Sequence, residues 1–335
     1  MGKILEVKDL ITRFHTFDGV VHALSGVSFD LEEGEILGVV GESGSGKSVT
    51  MMSLLHLLPS PPARIEGGRA LYHGDGEPVD LLQLSKAEIS RIRGGKIGFI
   101  FQDALSALNP VMTIGKQISE TLIQHLGHTA SQAKKRSIQL LEYVGIPEPE
   151  QRFSCYPHQF SGGMRQRAMI ALAVACEPKI IIADEPTTAL DVTVQAQIIE
   201  LVQRLQKEMN MSVIWITHDL GVVAGMADRV LVMYAGTVVE TARVEDLYYR
   251  PSHPYTQKLL GALPRMDSTG RHRLESIDGA PPDMLFKPAH CQFAWRCDHA
   301  EKKCMKEIPK EREISSCHQA ACFFDFHKKE DVHER

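Results

Sequence analysis

Residues Gly41, Glu42, Ser43, Gly44, Ser45, Gly46, Lys47 and Ser48 follow the pattern G-x-x-x-x-G-K-[ST]. The glycines let the backbone curl until successive N–H groups converge on phosphate oxygens, and a helix beginning near Lys47 adds the positive end of its dipole. In such a loop Lys47 reaches the β- and γ-phosphates of a nucleoside triphosphate, and Ser48 ligates Mg2+. A phosphate loop needs an acidic partner. One stands where the apolar run Ile180, Ile181, Ile182 and Ala183 ends in Asp184 and Glu185. Asp184 can hold Mg2+ through its water shell, while Glu185 is placed to polarise a water for attack on the γ-phosphate. Alone, an acidic pair after a strand reads as an ordinary helix cap. Joined to the phosphate loop, it predicts nucleotide hydrolysis.

These side chains require strands and helices that bring them together. Residues 4–7, 27–31 and 35–40 read as strands, punctuated by Asp18-Gly19 and Glu33-Gly34. A helix is predicted from Lys47 through the apolar run to Leu58, ending in Pro59, Ser60, Pro61 and Pro62. Between residues 113 and 145 the period is helical, with Ile118, Leu122, Ile123 and Leu126 on one face, then Ile138, Leu141 and Val144 before Gly145 and Pro147. The apolar runs at 179–183 and 212–217 do not alternate, which suits strands buried on both faces of a parallel sheet. A helical pattern over 192–209 lies between them. Composition shifts near Arg250 and Pro251, beyond which Pro, His and Cys become frequent. The expected division is a nucleotide-binding domain over 1–250, with a helical part near 105–170, and a C-terminal segment over 251–335.

The chain has 335 residues, 43% hydrophobic and 24% charged, with 37 basic residues against 42 acidic ones. That composition excludes disorder, collagen and a disulfide scaffold. A net charge of −5 supplies no basic field for nucleic acid, so no such partner is expected. The longest uncharged run, residues 48–63, carries His56 and three prolines and cannot span a bilayer. Lys3, Glu6, Lys8 and Asp9 leave no signal-peptide core, and Glu6 argues against myristoylation at Gly2, so a cytosolic location is expected. Cys155 and Cys176 stand apart from a late group of Cys291, Cys297, Cys304, Cys317 and Cys322. In a reducing cytosol such a group holds a metal more readily than it forms disulfides. The spacing is not the paired C-x2-C of a zinc ribbon. His290, His299 and His318 are interleaved as nitrogen donors, and both zinc and unmetallated thiols stay open.

Ser161, Gly162 and Gly163, followed by Gln166 and Arg167, resemble the signature motif of ATP-binding cassette proteins. The other landmarks of that family follow in order: Gln102 after the strand 97–101, Ala189-Leu190-Asp191 after Glu185, and His218 after the strand ending at Thr217. The resemblance implies an α/β cassette with a mostly parallel sheet and a helical subdomain, binding ATP with Mg2+. It assigns Gln102 to sensing Mg2+ and the attacking water, Asp191 to linking the two sites of a dimer, and His218 to the γ-phosphate. It places the signature over the nucleotide held by a second cassette, and Phe14 in contact with adenine, with Phe17 a close competitor. Translation-type members carry two cassettes per chain and repair-type members insert a long coiled coil, whereas Lys47 and Ser161 are only 114 positions apart (161 − 47) without sustained heptads.

Longer stretches are similar to the ATPase subunits of oligopeptide and dipeptide importers: residues 57–65, 156–160, 183–197 and 217–224, then His253-Pro254-Tyr255-Thr256 with Leu259-Leu260. Phe160 and Met164 replace the commoner Leu and Gln, and Ala104 stands where proline is expected. This likeness implies a motor on the cytoplasmic face of a membrane, working with two permease subunits, a second related ATPase and an external solute-binding protein. Peptides are the expected cargo, with nickel or oligosaccharides as the alternative. It further implies that Cys291, Cys297, Cys304 and Cys322 hold a [4Fe-4S] cluster in a small C-terminal module, leaving Cys317 over.

Overall fold

The computed structural model describes residues 2–74, 76–188, 190–262 and 277–326. Ala189 of the expected landmark lies outside the described residues, as do 263–276 and 327–335 of the C-terminal segment. In chain order the strands are β1 (Lys3–Thr16), β2 (Gly19–Glu32), β3 (Ile36–Val40), β4 (Ala63–Tyr72), β5 (Val79–Asp80), β6 (Ile97–Ile100), β7 (Ile180–Asp184), β8 (Ser212–Ile216), β9 (Arg229–Tyr234), β10 (Thr237–Arg243), β11 (Arg312–Ser315) and β12 (His318–Ala320). They build an antiparallel sheet ordered β2-β1-β4-β5 and a mixed sheet ordered β11-β12-β10-β9-β3-β8-β7-β6.

The strands β9, β3, β8, β7 and β6 are parallel. Every residue of β3, β7 and β8 is buried, as unalternating apolar runs require. The expected mostly parallel sheet is nevertheless a mixed one, because β10, β12 and β11 pair antiparallel beyond β9. The reversal is local: Ala235 and Gly236 both take positive φ, 45° and 74°, between Tyr234 and Thr237. Two such residues make the tight turn whose twist suits a hairpin.

The phosphate loop leads into a helix, Lys47–Leu54, that stops short of the expected Leu58 because His56 turns left-handed at φ 49°. The helical part contains Ala104–Ala107, Ile114–Leu126, Ala130–Tyr143, Pro149–Arg152 and Gly162–Ala173. Thr113 caps the second of these through the Lys116 amide, Gly127 ends it at φ 66°, and Thr129 with Gln132 forms a capping box for the third. Their inner faces, Ile118, Leu122, Leu140, Leu141 and Val144, are buried in one cluster with Ile181, Ala183 and Trp215 of the sheet. On the opposite face Leu5, Val7, Leu24 and Leu31 of the antiparallel sheet enclose Met51, Leu54 and Leu55 against Leu37, Val39, Ile182 and Ile214.

The C-terminal segment is not a lobe apart. Tyr255 and Phe293 are buried with Val40, Val230, Val232 and Tyr234 of the sheet. Glu240 of β10, fully buried, accepts from the Ser252 and His253 amides at 2.6 and 2.9 Å and lies 2.8 Å from His318 Nε2 of β12. A buried carboxylate thus ties three separate pieces of chain together.

Candidate active site

Four neighbouring parallel strands deliver chemistry at their carboxyl ends, where α/β sheets bind ligands. β3 leads into Gly41, β6 into Gln102, β7 into Asp184 and Glu185, and β8 into His218. An open cavity there is lined by residues 43–49, Gln102, Glu185 and His218, with Val21 and Ala23 of β2 and Met284 on its rim. The loop's glycines are steric necessities. A Cβ on Gly41 would lie 2.2 Å from the Met233 carbonyl oxygen, and one on Gly46, left-handed at φ 100°, would lie 2.8 Å from Leu24 Cδ2.

Lys47 Nζ is buried and donates to the carbonyls of Gly41 at 2.8 Å and Glu42 at 3.0 Å. Burial lowers its pKa, opposed by the nearby charges of Glu185, Asp184 and Glu42. Ser48 Oγ donates to Asp184 Oδ1 at 2.8 Å, which places two hard oxygen donors side by side, the donor set Mg2+ takes. Burial raises the Asp184 pKa, against the hydrogen bond from Ser48. Ser45 Oγ is buried without a hydrogen-bond partner beside the cavity, an orphan that a phosphate oxygen would satisfy. Glu185 sits opposite. Its Oε2 accepts from Gln102 Nε2 at 3.1 Å and Thr188 Oγ1 at 2.8 Å, and lies 3.4 Å from His218 Nδ1. Its backbone is left-handed at φ 44°, a strained conformation for a residue with a side chain. The arrangement offers a phosphate cradle, a cation position and a carboxylate aimed by three side chains.

A family model described as ABC transporter matches residues 24–188, and one described as oligopeptide/dipeptide transporter, C-terminal region, matches 239–304. The oligopeptide transport ATP-binding protein of Bacillus subtilis is 51% identical over 316 residues, covering 94% of this chain and 87% of its own length. The dipeptide transport ATP-binding protein of the same organism is 49% identical, covering 98% and 97%. The chain belongs to the ATP-binding subunits of peptide ABC transporters. As an ABC ATPase it couples ATP hydrolysis to transport. A solved dimeric ATP-binding cassette, bound to ADP and phosphate after hydrolysis, shares its fold with TM-score 0.63 and 28% identity, covering 72% of this chain and 98% of that one.

Other residues expected at the site of this ABC ATPase lie elsewhere in the single chain. Ser161 caps the helix Gly162–Ala173 through the Met164 amide at 3.3 Å, and with Gly162 and Gly163 it stays outside the cavity lining. A Cβ on Gly163 would lie 3.0 Å from Val194 Cγ1, so the signature adjoins the helix Val192–Met209. Asp191 caps that helix through the Val194 amide at 3.0 Å. Phe14 does not line the cavity, although Val21, directly across from it on β2, does, and Phe17 is fully exposed. Ala104 occupies the first position of the helix capped by Asp103, a position that also suits proline, so the departure from the family pattern is tolerated. Thr188 lies in the stretch 183–197 that carries the resemblance, but it was not legible as a partner of Glu185, since nothing in that stretch attaches a role to it.

Cys291, Cys297, Cys304 and Cys322 line one small pocket with Phe293, Phe323 and Phe324, while Cys317 is exposed. Burial, with the neighbouring thiols, pushes Cys291 up to about 11 and raises Cys297 and Cys322. A bound cation reverses that preference for the protonated thiol. Among the described residues no group of three His, Cys, Asp or Glu side chains is close enough to hold a metal ion as placed. His290, His299 and His318 are not in the pocket lining, and His253, which is, accepts from the Tyr255 amide through Nδ1.

Proposed function

We propose that this ATPase is the motor of an importer for dipeptides or oligopeptides, acting as one half of a two-cassette dimer. The observation that carries the dimer is that Ser161, Gly162 and Gly163 are partly or fully exposed and lie outside the cavity that holds Lys47 and Glu185, so a second chain must complete the phosphate site. The solved cassette dimer with ADP and phosphate supports this reading, and a related ATPase chain is the proposed partner. The relatives named for oligopeptide and dipeptide transport support the cargo.

In this site Lys47 and the loop amides bind the phosphates; Ser48 and Asp184 would hold Mg2+, which would supply neutralisation of phosphate charge. Glu185 takes a proton from the attacking water, with Gln102, Thr188 and His218 fixing its orientation. Among the described residues no helix is long and apolar enough to cross a membrane. The path is assigned to two permease subunits at whose cytoplasmic face the motor sits, fed by an external solute-binding protein. Leu105 and Val111, large exposed apolar side chains shortly after Gln102, form the docking surface. Cys291, Cys297, Cys304 and Cys322 are assigned to a [4Fe-4S] cluster on the likeness to peptide-importer ATPases, with zinc as the rival, because four thiolates suit either metal.

Uptake of labelled dipeptides, oligopeptides, nickel and sugars in a strain lacking the chain, with and without its restoration, tests the cargo. Restored nickel or sugar uptake without peptide uptake overturns it. Anaerobically purified protein with stoichiometric zinc and neither iron nor acid-labile sulfide overturns the cluster. Cys304→Ser should abolish the cluster's absorbance.

A further inference from the structure

Glu42 places a carboxylate inside a loop built to hold phosphate anions, and its charge is met by a cation from the far end of the chain. Arg296 Nη1 donates to Glu42 Oε2 at 2.6 Å and Nη2 to Oε1 at 2.9 Å, a bidentate pairing. The Arg296 side chain is only 5% exposed and is fixed by more than this pair. Its Nε donates to the Asp278 carbonyl at 3.0 Å and its Nη2 to the Ile277 carbonyl at 3.1 Å. The guanidinium lies 5.7 Å from the Tyr234 ring centre and 6.0 Å from that of Phe293. Glu42 is held at its other groups as well. Its amide donates to Tyr255 Oη at 2.8 Å, and its carbonyl accepts from Lys47 Nζ. Two side chains of the C-terminal segment therefore grip the residue that grips the phosphate-binding lysine.

We propose that Arg296 is a positioning residue for the phosphate loop: by neutralising and anchoring Glu42, it lets the C-terminal segment set the affinity of the cassette for nucleotide. The proposal rests on residues 41–48 being the phosphate site. Without Arg296, an uncompensated carboxylate stands within the loop, repels incoming phosphates and competes with them for Lys47. Lysine cannot replace the fork, since an ammonium meets both carboxylate oxygens and both carbonyls less well than a planar guanidinium.

The full chain is titrated with a fluorescent ATP analogue and Mg2+, and thermal melts by circular dichroism check the fold of each variant. Arg296→Met should weaken binding about tenfold, equivalent to about 1.4 kcal/mol, and Arg296→Lys by less. Adding Glu42→Gln to Arg296→Met should recover most of the loss, because the unpaired acid is gone. A role confined to holding the carbonyls of Ile277 and Asp278 would show no such rescue. Binding by Arg296→Met within twofold of the unaltered chain, or a double variant as weak as the single one, overturns the proposal. If Arg296→Met does not fold, the same comparison is made with Arg296→Gln, which also removes the cation, alone and with Glu42→Gln. Lys47→Ala separates the two levels. Normal binding by that variant would sink the phosphate-site reading itself, whereas lost binding there with normal binding in Arg296→Met sinks only the role of Arg296.

Discussion

Replacing Glu185 by glutamine removes a base while keeping nearly everything else. Glutamine has the same size and keeps one acceptor oxygen for the Gln102 and Thr188 donors that now converge on Oε2. The left-handed backbone at φ 44° costs the two side chains equally. Lys47, Ser48 and Asp184 are untouched, so nucleotide affinity should change less than about threefold. A positioned general base contributes roughly 100- to 10,000-fold, which corresponds to about 3 to 5 kcal/mol of barrier. Phosphate release at saturating ATP should fall by that factor in the assembled transporter, and light scattering should find the ATP-bound cassettes held as dimers. Turnover within tenfold of the unaltered protein, or a loss of binding parallel to the loss of turnover, would refute the assignment. A glycine at the same position offers a second view, since relief of a left-handed side-chain conformation, worth roughly 1 kcal/mol, should leave the inactive variant no less stable.

Three further outcomes are expected. Ser161→Arg should leave ATP binding by the single chain unchanged and cut hydrolysis by the assembled pair on the order of a hundredfold, the scale of losing a charge-stabilising donor; reduced single-chain binding would contradict the placement of Ser161 outside the cavity. Burial pushes His253 down to about 4 against the opposing influence of Glu240, so the folded state keeps this histidine neutral where the unfolded chain would protonate it. The stability it contributes is present above the ordinary histidine value of about 6.5 and is lost as pH falls toward about 4, on the order of 3 kcal/mol in all. Unfolding midpoints between pH 7.5 and 4.5 should show this, and His253→Asn, which can still cap the helix Pro254–Gly261, should flatten the slope. Arg229→Met should destabilise the fold by about 3 to 5 kcal/mol in denaturant titrations, because it strands the buried Glu35, now 2.5 Å from Arg229 Nε, without a counter-charge; a loss below about 1 kcal/mol would show that the pair is readily hydrated.

Local pattern and long-range packing divide what was legible. Lys47 and Ser48 were readable from the phosphate-loop pattern and Asp184 and Glu185 from the acidic end of an apolar run, whereas Gln102 and His218 came through the family resemblance; the parallel strands β3, β6, β7 and β8 bring all six to one end of the sheet. The helix Val192–Met209 matched its periodic pattern because Asp191 caps its start and Asn210, left-handed at φ 50°, ends it. The antiparallel flank was not legible, since β10 is only partly buried and its hairpin turn begins with alanine rather than the usual asparagine or glycine. Arg296 was beyond reach for a different reason. It lies 254 positions from Glu42, and nothing in its local context of Trp295 and Cys297 marks it as a partner of a distant loop.

The position of β11 has a consequence for self-association. A sheet margin with unpaired backbone is a template on which a foreign strand can grow. Were the chain to stop at residue 250, that margin would be β10, seven residues long with Val239 and Ala242 buried, flanked by the apolar surface now covered by Tyr255 and Phe293. Instead β12 pairs with Glu240 and Thr241, and β11 follows as a four-residue strand carrying Arg312 and Glu313, short and charged. The segment therefore works as a stopper against polymerisation as well as a contact to the phosphate loop. A protease that clipped it away would convert a discrete ATPase into a species prone to stack through its own sheets.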